Sequence, residues 1–276
     1  MKVSYIISSI GNSDKLEALI NNIVEHLNDN EIILIDNSFE KKLEQYSLNK
    51  NIKYYHEKSS GISYARNRGA FEAKNQLLVF MDDDIIPQSN FYQEINTISK
   101  MKHKDFIVGG KIIPNNIPKC LPEKYGYLVG KKDFGNKIKR LKKYNYLGGC
   151  LLIMPKTTYN YLNGFSTDYG HKGNIFDANE DVIIQDFAYK KKIDVIYNPN
   201  LIVVHYWKGN IDVLFNRIKT QGISDRKVDL KYHKLRFVLK YIKFTLYIFF
   251  LHKSNDETVK FDIMRYKSYV YNKTNI

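Results

Sequence analysis

The stretch VFMDDDIIP, residues 79–87, carries an apolar strand straight into three successive aspartates. Adjacent carboxylates repel one another and cost stability unless solvent or a cation screens them. In an extended segment residues i and i+2 share a face, so Asp82 and Asp84 are expected to face one ligand while Asp83 points aside. Hard oxygen donors at that spacing suit Mg²⁺ or Mn²⁺, which share their shell with phosphate oxygens. A solvated loop running into a helix cap near Pro87 and Ser89 accounts for the same residues without a metal.

Outward from this stretch, strand-like and helix-like pieces alternate. VSYIISSI opens the chain as a strand, and SDKLEALINNIVEHL follows with Leu16, Leu19, Ile20, Ile23, Val24 and Leu27 at helical spacing. EIILIDNS reads as a buried strand ending in Asp36, IKYYHEK as a short strand, GISYARNRGAFEAK as a helix after Gly61, and QLLVFMDDD as the fourth strand. Apolar runs alternating with helices predict an α/β fold, a mostly parallel, Rossmann-like sheet flanked by helices. Ligands of such sheets gather at the carboxyl ends of strands, where Asp36 and Asp82–Asp84 fall. Beyond residue 106, FIVGGKIIP reads as a strand, YLGGCLLIMPKTTYNYLNGF as strand then helix, and NEDVIIQDFAYKKK as a helix. DVIYNPNLIVVHYW reads as a pair of strands and NIDVLFNRIKTQGISDRK as another helix. The aperiodic stretches 115–146 and 166–179 are long enough to suggest a binding role.

The chain has 276 residues, enough for a full core, and its hydrophobic content of 43% excludes a disordered protein. A net charge of +14 points to anionic partners: nucleic acid, an acidic membrane surface or a phosphorylated substrate. Cys120 and Cys150 form no disulfide framework and no CxxC knuckle, which fits a reducing compartment. The N-terminal apolar run reads as a first strand rather than a signal peptide, so a cytoplasmic location is expected. No segment reaches the roughly 18 apolar residues of a spanning helix.

In order along the chain, IILIDNS, GISYARNRGAFEAKNQLLVFMDDDIIP, NEDVIIQDFAYKKK and VVHYW resemble the family-2 glycosyltransferases of GT-A fold. The resemblance covers about residues 3–207 and implies a catalytic domain over 1–215, with a nucleotide-sugar half to about 110 and an acceptor half beyond it. A basic helical extension over 216–276 follows. The implied activity is a metal-dependent, inverting transfer of one sugar from a nucleotide-sugar, a UDP-sugar foremost, to a saccharide or lipid-linked acceptor in cell-surface polysaccharide biosynthesis. The Q-x-x-R-W signature of processive members is absent from TQGISDRK, which implies one sugar per acceptor.

The same resemblance assigns residues. Asp36 recognises the uracil ring N–H, although DNS also reads as an Asx turn closing the strand. Arg66 lies against the nucleotide or diphosphate with Asn67 nearby, and Gly61 permits close backbone passage. Ser8, Asp82, Asp83 and Gly149 complete the donor side, with Gly148 in the same turn. Asp82 and Asp84 meet the metal, Mn²⁺ or Mg²⁺, and His205 completes its shell. Asp181 is the base that takes the acceptor hydroxyl proton, with Glu180 as its substitute. Helix N-terminal acids complementing the dipole explain that pair equally well. Asp186 is expected to face elsewhere, and Trp207 either stacks on an acceptor ring or packs.

Residues 231–253 mix apolar aromatics with Lys231, Lys234, Arg236, Lys240, Lys243 and Lys253. Such a segment suits peripheral contact with an anionic inner leaflet, or burial of its apolar face on the catalytic domain. Two other classes fit parts of the sequence. Aspartate-nucleophile phosphatases also place DxD after a strand, but on the first strand with Thr or Val following, whereas Ile85 follows here. A nucleic-acid-binding protein would suit the charge, yet the positives are spread and no binding motif is present, so no nucleic-acid partner is expected.

Overall fold

The apolar runs that become β1, β2 and β8 are buried along their whole length and β4 nearly so, which is what draws the strands into one central sheet. The structure, a computed structural model, describes residues 1–101, 105–170, 178–251 and 256–271. Strand β1 (Val3–Ser9) is fully buried, and helix α1 (Leu16–Val24) buries Leu16, Leu19, Ile20 and Ile23. β2 (Glu31–Asp36), β3 (Ile52–His56), α2 (Ile62–Glu72) and β4 (Leu77–Asp82) follow. Then come β5 (Ile85–Pro87), α3 (Phe91–Ser99), β6 (Phe106–Pro114), β7 (Lys139–Arg140), β8 (Leu151–Pro155) and α4 (Lys156–Tyr161). α5 (Glu180–Lys190), β9 (Asp194–His205), α6 (Ile211–Tyr232), α7 (Lys234–Leu251) and α8 (Glu257–Tyr271) complete the described chain.

The sheet runs β3-β2-β1-β4-β8-β6-β9-β5, with β7 added against β9. It is mixed. β1, β2, β3 and β4 pair in parallel, as do β6 and β9. β8 is antiparallel to both β4 and β6 and so joins the two parallel blocks. One core cluster packs Leu19, Ile23, Leu34, Val79 and Phe91 on one face; another packs Ile6, Ile35, Phe80, Met154 and Phe165 on the other.

Three sequence readings change. The expected strand pair at 194–207 is one strand, β9, whose pairing with β6 slips at Gly110/Lys111. That slip absorbs NPN, where Pro199 has no N–H to donate. The aspartates do not lie in one extended segment: the chain turns after Asp82, because β5 leaves β4 to pair antiparallel with β9, Ile85 opposite His205. The basic tail segment is two helices broken at His233, and the aperiodic 115–146 stretch contains a 3₁₀ turn at Glu123–Val129. Half of the 166–179 loop, residues 171–177, lies outside the described residues. No described helix is long and apolar enough to cross a membrane.

Candidate active site

The carboxyl ends of β1 and β4 open on a cavity of about 860 Å³, closed on its far side by α5, α6 and α7. The three aspartates line it. Asp82 ends β4, its N–H bonded to the carbonyl of Cys150 at 3.1 Å. Asp83 accepts a short hydrogen bond from Ser9 Oγ, and its carbonyl accepts from Ser13 Oγ at 2.8 Å. Asp84 turns the other way, toward the end of β9, where its carbonyl accepts from Tyr206 N at 2.7 Å.

His205 meets Asp84 because their strands pair. Its Nδ1 donates to the Val129 carbonyl at 3.0 Å, which leaves Nε2 as the lone-pair nitrogen, 3.4 Å from Asp84 Oδ2. The ring is wedged against Gly130, whose φ is +88°; a Cβ there would stand 2.7 Å from Nδ1. Burial holds the imidazole pKa below its ordinary value. Burial, then the charge of Asp82, pushes Asp84 up to about 7; burial above all does the same to Asp83. Asp84 Oδ1 is buried without a hydrogen-bond partner among the described residues. An unpartnered carboxylate oxygen beside an imidazole lone pair is a donor set that fits a divalent cation. Among the described residues no three His, Cys, Asp or Glu side chains close on one point, so water and ligand oxygens would complete the shell.

Arg66, on α2, is buried and spans the cavity floor. It donates from Nη1 to Glu180 Oε1 at 2.9 Å, and from Nη2 to Asp82 Oδ1 at 2.8 Å and the Gly149 carbonyl at 2.9 Å. Burial alone would lower its pKa, but the charges of Asp82 and Glu180 outweigh it and raise it. The guanidinium thereby bridges two carboxylates.

Glu180 and Asp181 open α5, behind Asn179 in the left-handed region at φ 78°. Burial raises Glu180 despite Arg66, and burial followed by the Glu180 charge pushes Asp181 up to about 6. Asp181 Oδ1 accepts its neighbour's N–H, Val182 N, at 2.9 Å. Gly149 is needed beside it, since a Cβ there would stand 2.9 Å from Asp181 Oδ2. Asp186 faces away, accepting from Tyr146 Oη at 2.7 Å and meeting His233 Nε2 at 2.8 Å.

The cavity therefore brings together Ser8, Arg66, Asp82, Asp83, Asp84, Gly149, Glu180, Asp181 and His205. Asp36, Gly61 and Asn67 are not on its wall. Asp36 is fully buried; its oxygens accept from Ser38 N, Ser38 Oγ, Leu43 N and Tyr54 Oη, as an Asx turn requires, and Asn37 lines the cavity instead. Gly61 caps α2, its N–H bonded to Asn37 Oδ1 at 2.8 Å. Asn67 is consumed by the Phe165 backbone and Tyr159 Oη. Trp207 packs with Leu128, Val129 and Leu214.

Lys132 and Arg217 line the cavity and were not anticipated. Burial lowers both pKa values, opposed by Asp181 at Lys132 and by Asp84 at Arg217. Arg217 Nη1 donates to the Leu128 carbonyl at 2.6 Å. Lys132 comes from the aperiodic stretch, where no periodicity could point to it; Arg217 sits on α6 one turn from the buried Leu214.

The chain is similar to known glycosyltransferases. Over 185 residues the chain is 25% identical to a glucosyl-dolichyl phosphate glucuronosyltransferase of Haloferax volcanii, covering 64% of this chain and 58% of that protein. Over 115 residues it is 31% identical to a cholesterol galactosyltransferase of Borreliella burgdorferi, covering 38% and 31%. The matches thus span less than two-thirds of either relative's length. The fold is shared with S. aureus TarS 1-349 in complex with UDP-GlcNAc (TM-score 0.58, 14% identity, 81% of this chain and 66% of that one). It is also shared with GalNAc-T7 with UDP, GalNAc and Mn²⁺ (TM-score 0.57, 18% identity, 81% and 48%). The sequence model described as Glycosyl transferase family 2 matches residues 4–154, more than half of the chain and every strand from β1 to β8, and the chain belongs to that family.

Proposed function

We propose that this chain moves one sugar, with inversion, from a nucleotide-sugar, a UDP-sugar foremost, to a saccharide or lipid-linked saccharide acceptor. The observation that carries the reading is Asp181. It is a half-buried carboxyl pushed up to about 6, in one cavity with the aspartate turn and His205. A base of that strength suits proton removal near neutral pH. As the acceptor oxygen bonds to the anomeric carbon, its proton passes to an Asp181 oxygen and the bond to the nucleotide diphosphate breaks. Glu180, held by Arg66, keeps its neighbour's proton affinity raised. Lys132 tempers it.

Asp84 and His205, with Asp82 alongside, would hold Mn²⁺ or Mg²⁺, which supplies positive charge against the leaving diphosphate. Arg217, near Asp84, adds a second positive group on that side. The names of two solved neighbours include UDP or UDP-GlcNAc, and one includes Mn²⁺, which supports the donor and metal reading. The two relatives' names specify a dolichyl phosphate-linked sugar and a sterol, which supports a lipid-linked acceptor.

A thermal-shift series with UDP-, GDP- and dTDP-sugars, with and without Mn²⁺, tests this. Stabilisation by one nucleotide class, enhanced by Mn²⁺, is expected. No shift with any donor would remove the reading.

A further inference from the structure

Helix α7 is built back to front for a surface helix. Leu235, Leu239, Ile242, Leu246, Phe249 and Phe250 are between 52 and 74% exposed. At 3.6 residues per turn these six fall within an arc about 100° wide. The opposite side is already occupied: Phe237, Phe244 and Ile248 pack with Tyr266, Tyr269 and Val270 of α8, Phe244 stacking on Tyr266 at 3.8 Å between centroids. The exposed arc is thus a second apolar face that the fold leaves uncovered, well beyond the scattered apolar residues normal on a surface.

Lys234 and Lys243 border the arc, one on each side, and both are exposed. Among the described residues neither meets a carboxylate, and residues 234–251 contain no acid at all. A second copy of this helix laid on the first would bring lysine rows against lysine rows with nothing of opposite charge to answer them. Anionic headgroups answer both lysines, and the acyl region takes the side chains between them.

We infer that α7 lies in the plane of an anionic lipid bilayer, with Leu235, Leu239, Ile242, Leu246, Phe249 and Phe250 immersed and Lys234 and Lys243 at the headgroups. The same helix turns Arg236 and Lys240 inward, where both pair with the buried Asp229 and line the cavity. Bilayer contact therefore holds that end of the cavity beside the headgroups. Delivery of a lipid-linked acceptor there rests on the transferase reading; the bilayer contact itself does not.

The test uses the full chain, without donor or metal, sedimented with vesicles of phosphatidylcholine alone or mixed with phosphatidylglycerol. Binding to the mixed vesicles at least about tenfold above the neutral ones is expected. The triple substitution Leu239→Gln, Leu246→Gln, Phe249→Gln should reduce binding at least about tenfold. Its circular dichroism and melting temperature should stay unchanged, since none of the three faces α8. The pair Lys234→Glu, Lys243→Glu should abolish the anionic preference. Failure of the full chain to sediment with either vesicle overturns the inference. So does a dimer in light scattering that the triple substitution dissolves, which would make this face a contact between copies. Vesicle binding without sugar transfer from any donor would leave the inference standing and remove the transferase reading.

Discussion

His205 Nε2 stands 3.4 Å from Asp84 Oδ2, while the opposite ring nitrogen is committed to the Val129 carbonyl. One hydrogen bond therefore fixes both the tautomer and the aim of the imidazole, and strand pairing between β5 and β9 fixes its distance from the aspartate turn. Substituting either partner should remove the Mn²⁺-dependent rise in melting temperature. Asp84→Asn keeps the shape and takes away the charge, so it should lose the metal response with little loss of fold. His205→Ala should lose it too, at an added cost of about 1–3 kcal/mol from the orphaned carbonyl and the cavity left behind. A Mn²⁺ response undiminished in Asp84→Asn would count against the site.

Asp181→Asn removes the base without changing its volume. The transfer rate should drop about 10²–10⁴-fold while nucleotide affinity stays within about twofold. Steady-state kinetics beside calorimetric titration of the nucleotide checks this, and normal turnover would move the base elsewhere, to Glu180 first.

The pH profile follows from the same group. A base pushed up to about 6 is mostly protonated at pH 5 and mostly ionised at pH 7, so activity should climb through that interval. Stability runs the other way. Asp83 and Asp84 hold protons in the folded state up to about 7, above their unfolded value of 3.8, so the folded state binds more protons between those pH values. Metal-free stability should therefore fall as pH rises from about 4 to 7, and Mn²⁺ should restore more of it at pH 8 than at pH 5. Melting curves across pH with EDTA or Mn²⁺ measure both; a metal-free curve rising over that interval contradicts the assignment.

Gly149→Ala tests the close approach. The new methyl would press on Asp181, where Oδ2, Cβ and Cγ all lie within 3.0 Å of its position. Displacing a base by a fraction of an ångström is expected to lower kcat about 10–100-fold, with KM for the donor less affected. Unchanged kcat would show that Asp181 tolerates movement.

Arg66→Ala should be the most destabilising of these changes. It strands Asp82 and Glu180, and breaking a buried pair costs about 3–5 kcal/mol. Arg66→Lys reaches one carboxylate but not both, so an intermediate loss is expected in chemical denaturation.

Much of this was legible in the chain. β1, β2 and β4 are fully or almost fully buried runs bounded by turns, and the helical spacing of Leu16, Leu19, Ile20 and Ile23 survives in α1. The aspartate turn, Arg66, Gly149, the Glu180–Asp181 pair and His205 do converge. What the sequence hid was set by partners distant along the chain. The Asx turn onto Ser38 is local, but nothing local says that Asp36 will also spend its oxygens on Leu43 and Tyr54, or that Asn67 will hold the Phe165 backbone. The antiparallel insertion of β8 depends on a pairing about 70 residues removed from β4 in the chain, which no periodicity encodes. Lys132 and Arg217 reached the cavity by the same long-range route.

Arg66 finally ties two titrating sites into one thermodynamic system. Its guanidinium contacts Asp82 at the end of β4 and Glu180, 114 residues further along than itself, at the start of α5. Charge arriving against Asp82 alters the hold of that guanidinium on Glu180, and through Glu180 the proton affinity of Asp181. Linkage of this kind is reciprocal. Occupancy at the aspartate turn should shift the apparent pKa of the base, and protonation of the base should shift that occupancy by the same factor. A single buried side chain thereby makes the two events share one coupling energy, the same whichever comes first.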